Sequence, residues 1–95
     1  MRSGAGFTEH EIGRHRELFF AVNRLEIDDV ADDDTAGRFH VLNLVAGDEV
    51  LLRTASGREH RLSYAETIVV PAGVGRYSIV RTGGSPAKVV KAFVA

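Results

Sequence analysis

From Leu18 onward the chain runs in short apolar stretches broken by turn residues. "LFFAVNRLEI" (18–27) is apolar, aromatic and long enough for a strand. "RFHVLNLVAG" and "EVLLRT" follow, and a Ser56-Gly57 turn separates "EVLLRT" from "REHRLS", which predicts a hairpin. "TIVV" stops at Pro71, "RYSIV" ends at "TGGSP", and "AKVVKAFVA" closes the chain. This punctuation predicts about seven short strands and no helical stretch after residue 17. The expected fold is all-β, a small antiparallel β-barrel or jelly roll over residues 18–95. Residues 1–17, rich in charge and glycine with little periodicity, predict an irregular arm, a linker or one short helix.

Several strands are apolar on both faces. In "RFHVLNLVA" one face carries Phe39, Val41 and Val45 while the other carries Leu42 and Leu44. A sheet with one wet face alternates, whereas one covered on both sides need not. The pattern therefore implies a second layer, a second domain or a second copy in a homodimer. The plain alternative is two sheets of one sandwich with ordinary exposed apolar atoms.

Composition narrows the function classes. Ninety-five residues make one small domain with a modest core. Hydrophobic residues at 44% and charged residues at 26% exclude a disordered or fibrous chain. A formal net charge of -1 gives no bias toward nucleic acid or an anionic membrane. The absence of cysteine excludes disulfides, thiolate catalysis and cysteine zinc sites. No apolar run nears the roughly 20 residues of a membrane span, and the N-terminal stretch has no apolar signal core, so a cytoplasmic protein is expected.

Candidate chemistry is sparse. "HEIGRH" (10–15) differs from the HExxH zinc signature by one residue of spacing. That extra residue turns the second histidine by roughly 140° on a helix, so the two do not share a metal. The acidic run Asp28, Asp29, Asp32, Asp33 and Asp34 lacks the spacing of a calcium loop and reads as a solvated loop. "GGSPAK" is no phosphate-binding loop, and G-x-S-x-G is absent. His60, between two arginines, reads as a strand residue facing solvent. No catalytic residue is assigned.

The stretch "AETIVVPAGVGRYSIV" (65–80) resembles the second conserved motif of the cupins, in which a histidine follows a P-x-G turn. Pro71 and Gly73 match it, whereas Ala65 replaces the leading glycine, Arg76 the histidine and Val80 the asparagine. For the first cupin motif, His40 falls at the glutamate position and the histidine positions fall near Asp34 and Ala36. The turn survives while the metal ligands do not.

A longer resemblance covers residues 17–94. "ELFFAVNRLEI", "FHVLNLVAGDEVLL", "AETIVVPAGVGRYSIV" and "KVVKAFV" are similar, in order and separation, to the C-terminal barrel of type I mannose-6-phosphate isomerases. The resemblance implies carbohydrate metabolism, specifically exchange between mannose 6-phosphate and fructose 6-phosphate assisted by one zinc. In that family the zinc ligands and catalytic groups belong mainly to the preceding cupin domain, for which this chain has no counterpart. The resemblance therefore implies no metal and no cofactor in this chain and no isomerase activity from it alone.

Three readings stay open. The chain is the C-terminal domain or a small homologue of such an isomerase, or a free-standing metal-free cupin that binds a sugar or sugar phosphate, or a dimerisation module. Within the cupin comparison, His40 and Arg76 are expected to face the barrel interior near its mouth. There they form a candidate anion site for phosphate, sulfate or a sugar phosphate. The alternative is that Arg76 reaches water or pairs with Glu66.

Overall fold

The computed structural model describes residues 2–15 and 20–94. Among them ten strands occur: β1 (Arg2–Gly4), β2 (Phe7–His15), β3 (Phe20–Ile27), β4 (Val30–Asp34), β5 (His40–Ala46), β6 (Glu49–Thr54), β7 (Glu59–Ser63), β8 (Thr67–Val70), β9 (Arg76–Arg81) and β10 (Ala87–Val94). A short 3-10 turn, Ala72–Val74, follows Pro71. The strands form a six-stranded sheet in the order β1-β2-β3-β10-β5-β8 and a four-stranded sheet in the order β4-β9-β6-β7. Every pairing described is antiparallel. The all-β jelly-roll expectation therefore holds.

Two expectations are corrected. The N-terminal residues expected to be irregular or helical instead supply β1 and β2, and β2 pairs along the length of β3 across the boundary drawn at residue 17. A register shift between Glu11 and Gly13 interrupts the alternation, and the inward position of Glu9 is charged, so the strand carries no clean two-residue period. "HEIGRH" accordingly lies on a strand. The acidic run is also no simple loop, because Val30–Asp34 is an edge strand paired with β9.

The sheets face each other across a core of Leu25, Ile27, Leu42, Leu44, Val50, Ile79 and Val89, all fully buried. Alternation within each strand aims these residues inward; in β5, His40, Leu42 and Leu44 are buried while Val41 and Asn43 are half-buried and Val45 is exposed. The expected hairpin joins β6 to β7, where Gly57, at φ 90°, takes a backbone conformation that side chains disfavour. At Gly47 (φ 99°) a Cβ would approach the Ala87 Cα to 3.1 Å, so glycine permits β10 to pass close to this turn.

The register separates the interior into two ends. Leu25, Val89 and Leu44 lie abreast on β3, β10 and β5, as do Ala31, Ile79 and Leu52 on the opposite sheet. Two residues further along, the inward positions become Asn23 and Lys91 on one sheet and Asp33 and Tyr77 on the other. The apolar end holds the sheets together by burial from water. The polar end holds the chemistry.

Candidate functional site

Lys91 is the centre of the polar end. It is 5% exposed, and its Nζ lies 2.7 Å from both Glu9 Oε2 and Asp33 Oδ2. Asn23 Nδ2 donates to the same Glu9 oxygen at 2.7 Å. The ammonium also stands 5.2 Å from the Phe93 ring centroid, within cation–π range. Buried charges are costly unless paired and hydrogen-bonded, and here three strands of one sheet and an edge strand of the other converge to satisfy them.

His40 and Tyr77 extend the cluster. His40 Nδ1 and the Tyr77 hydroxyl are 2.6 Å apart, and that hydroxyl donates to Asp33 Oδ2 at 3.4 Å. With the phenol proton directed to Asp33, the short contact is made by Nδ1–H donating to the phenol oxygen. Burial pushes the His40 pKa below its ordinary 6.5, and the Lys91 ammonium lowers it further; Asp33, Glu9 and Asp34 only partly offset this. The imidazole is therefore held neutral at neutral pH, with Tyr77 and Phe93 stacked edge-on and tilted beside it.

Two cavities meet this cluster. One, of about 660 Å³, includes Glu9, Asp33, Tyr77 and Lys91 in its wall and Asp34 and Arg76 nearer solvent. A smaller one, of about 220 Å³, is lined by His40, Lys91, Phe93 and Arg38 among others. Arg38 is anchored by donating to the Val94 carbonyl at 2.9 Å. The cluster thus forms a partition reached from both sides.

Of the two residues expected to form an anion site, His40 faces the interior and Arg76 does not. On β9 the buried positions are Tyr77 and Ile79, so alternation sends exposed Arg76 to the opposite face. Tyr77, one residue on, is the β9 side chain that meets His40. His60 is exposed, as expected.

The sequence reading missed Lys91, Glu9, Asp33 and Tyr77. A signal was present for Lys91: in "AKVVKAFV", Ala87, Val89, Lys91 and Phe93 share one face, which places a lysine in an otherwise apolar row. Tyr77 follows likewise from its alternation with Ile79. Glu9 and Asp33 gave no such signal, because their strands hold too few apolar residues to show which face is buried.

The donor set does not fit a catalytic zinc, which takes about three protein ligands. Glu9 and Asp33 already share the Lys91 cation, and His40 directs Nδ1 to Tyr77. Among the described residues, no group of three or more His, Asp or Glu side chains is arranged to hold a metal ion.

With this geometry in place, comparison with solved structures defines the fold. The Cupin_2 domain of an XRE family transcriptional regulator from Enterobacter cloacae superposes with a TM-score of 0.78 at 10% identity, covering 96% of this chain and 98% of that one. An uncharacterized conserved protein with a double-stranded β-helix domain from Klebsiella pneumoniae gives 0.79 at 11% identity, covering 99% and 81%. The cupin domain of Schizosaccharomyces pombe Cnp3 gives 0.73 at 13% identity; 94% of this chain spans 61% of that one. The chain has the cupin fold. A polyketide cyclase and an ectoine synthase match as well, so functions on this fold are diverse. No family model matches the chain, and no curated protein matches it. Among the described residues, no helix is long and apolar enough to cross a membrane.

Proposed function

We propose that the chain is an accessory cupin domain of carbohydrate metabolism that binds a sugar or sugar phosphate without a metal of its own. In this reading it plays the part of the C-terminal barrel that its sequence resembles in type I mannose-6-phosphate isomerases, and it works in the cytoplasm. The observation that carries the reading is the Lys91 ammonium between Glu9 and Asp33, beside His40. A fixed cation in the barrel interior does by salt bridges what a bound metal does by coordination: it orients carboxylates in a polar cavity. Such a wall of carboxylates, tyrosine and amide suits a hydroxyl-rich ligand. The order of the strand motifs supports the same descent, since "RLEI", "FHVLNLVAG", "VVPAGVGRYSIV" and "KVVKAFV" fall on β3, β5, β8 to β9 and β10. The test is calorimetric titration of the purified chain with mannose and with mannose 6-phosphate, alongside an assay for fructose 6-phosphate with added zinc. Binding of either sugar without turnover is expected. Zinc-dependent interconversion by this chain, or no binding of either sugar, would contradict the proposal.

A second reading, self-association, is favoured by the outer face of the six-stranded sheet. Val69, Val41, Ala92 and Val22 lie directly abreast on β8, β5, β10 and β3, and Val69 is 55% exposed. Beside this row stand Arg24, Glu26 and Lys88, with Arg24 and Glu26 paired at 3.5 Å. A patch that is apolar at its centre and mixed in charge at its rim is complementary to itself under two-fold symmetry, so the occupant proposed is a second copy. Sedimentation should show a concentration-dependent dimer that Val41→Glu abolishes. A monomer throughout the range would remove this reading.

A further inference from the structure

The smaller cavity, of about 220 Å³, opens between the turn that follows β4 and the last residues of β10. Its wall carries Asp33 and Asp34 against Arg38 and Lys91, so the two signs balance. Asp33 and Lys91 are bound to each other at 2.7 Å. Asp34 and Arg38, both exposed at the two ends of the turn, form no ion pair among the described residues. One Asp34 oxygen accepts from the Ala36 N–H at 2.8 Å, which leaves the other open. Arg38 donates from Nη1 to the Val94 carbonyl at 2.9 Å, and this anchor leaves its Nε–Nη2 edge for a carboxylate. Arg76 stands abreast of Asp34 on β9, but it lines the larger cavity and not this one. The floor adds a buried polar atom that lacks a partner. His40 is 4% exposed; its Nδ1 is bound to Tyr77, and its Nε2 makes no hydrogen bond among the described residues. With Nδ1–H donated to the phenol oxygen, Nε2 is an acceptor. Asp34 is near enough to act on the charge of that ring. Phe93, half-buried and tilted beside His40, supplies an apolar side.

We propose that the smaller cavity binds a small α-amino acid as its zwitterion, with the carboxylate on Arg38 and the ammonium directed to His40 Nε2 and Asp34. A ligand of zero net charge leaves the balanced wall balanced. A carboxylic acid without the amine leaves Nε2 and Asp34 unmatched, and an amine without the carboxylate leaves Arg38 unmatched, so each half alone binds less well. The site lies across the partition from the larger cavity and is independent of the sugar-binding reading.

The experiment is an NMR titration of the nitrogen-labelled, unmodified chain with L-alanine, propionate and ethylamine in turn, at neutral pH and fixed ionic strength. The His40 ring nitrogens and the side-chain nitrogens of Arg38 and Arg76 are followed. Alanine should shift His40 Nε2 and Arg38 saturably at millimolar concentration and leave Arg76 unmoved, while propionate and ethylamine should each bind about tenfold or more weakly. Arg38→Gln and Asp34→Asn, both at exposed positions, should each weaken alanine by about fivefold or more, whereas Arg76→Gln should leave it unchanged. Propionate or ethylamine binding as tightly as alanine would overturn the proposal, as would alanine shifts at Arg76 in place of Arg38. The absence of any shift with alanine would do the same, and none of these results bears on the sugar titration.

Discussion

Replacing Lys91 with methionine removes the ammonium while keeping most of the side-chain volume. Glu9 Oε2 and Asp33 Oδ2 each lie 2.7 Å from Nζ. They therefore stand no more than about 5.4 Å apart, and two unit charges at that separation repel by roughly 3 kcal/mol at an effective dielectric of about 20. Deleting one partner of a buried ion pair costs about 3–5 kcal/mol in other proteins, because the remaining charge is left uncompensated. A domain of this size has roughly 5–14 kcal/mol of stability in total, so the substitution should remove a large fraction of it. Denaturant unfolding at neutral pH should show a loss of about 3–5 kcal/mol. The loss should shrink in acid, where protonation removes the repulsion, and adding Glu9→Gln should recover part of it at neutral pH. A loss below about 1 kcal/mol, the range of an exposed salt bridge, would refute the buried cluster.

Tyr77→Phe deprives His40 Nδ1 and Asp33 of one partner each and should cost about 1–3 kcal/mol in the same assay; an unchanged midpoint would count against the short His40 contact. The pH dependence follows from His40, whose folded pKa is depressed. The unfolded chain takes up the proton first as pH falls, so this group's contribution is present above 6.5 and is lost as pH drops through the lower folded value. His40→Asn should flatten that part of the stability profile, and a profile that keeps its slope would assign it to other groups. Gly47→Val places a Cβ 3.1 Å from the Ala87 Cα at a φ of 99° and should destabilise by about 1–3 kcal/mol, whereas neutrality in thermal unfolding would show that β10 can shift.

Much of the framework was legible because turns and apolar runs are local signals. Gly57 marks the β6–β7 hairpin, Pro71 ends β8, and the four motifs that resemble the isomerase barrel all fall on paired strands. The polar end was less legible, for one physical reason. Its inward positions carry Glu9, Asp33 and Lys91, so the strands that bear them lose the alternation by which buried faces are recognised. A lone carboxylate in β2 or β4 reads as a solvated residue until β10 supplies the cation, and for Asp33 that contact spans 58 residues of chain to Lys91 in the other sheet. The Arg76 expectation failed to bring that side chain inward because one step along β9 exchanges faces. The resemblance fixed the turn, but the buried neighbour of His40 is Tyr77.

The Lys91 side chain itself offers the most direct test of a built-in cation in the barrel interior. Nitrogen-detected NMR of the lysine ammonium groups reads burial and hydrogen bonding at one atom. Held between Glu9 and Asp33, the Lys91 Nζ protons should exchange slowly with water at neutral pH, and their signal should respond to Glu9→Gln and to Asp33→Asn. A Lys91 ammonium that exchanges as fast as exposed Lys88, and that ignores both substitutions, would contradict the account.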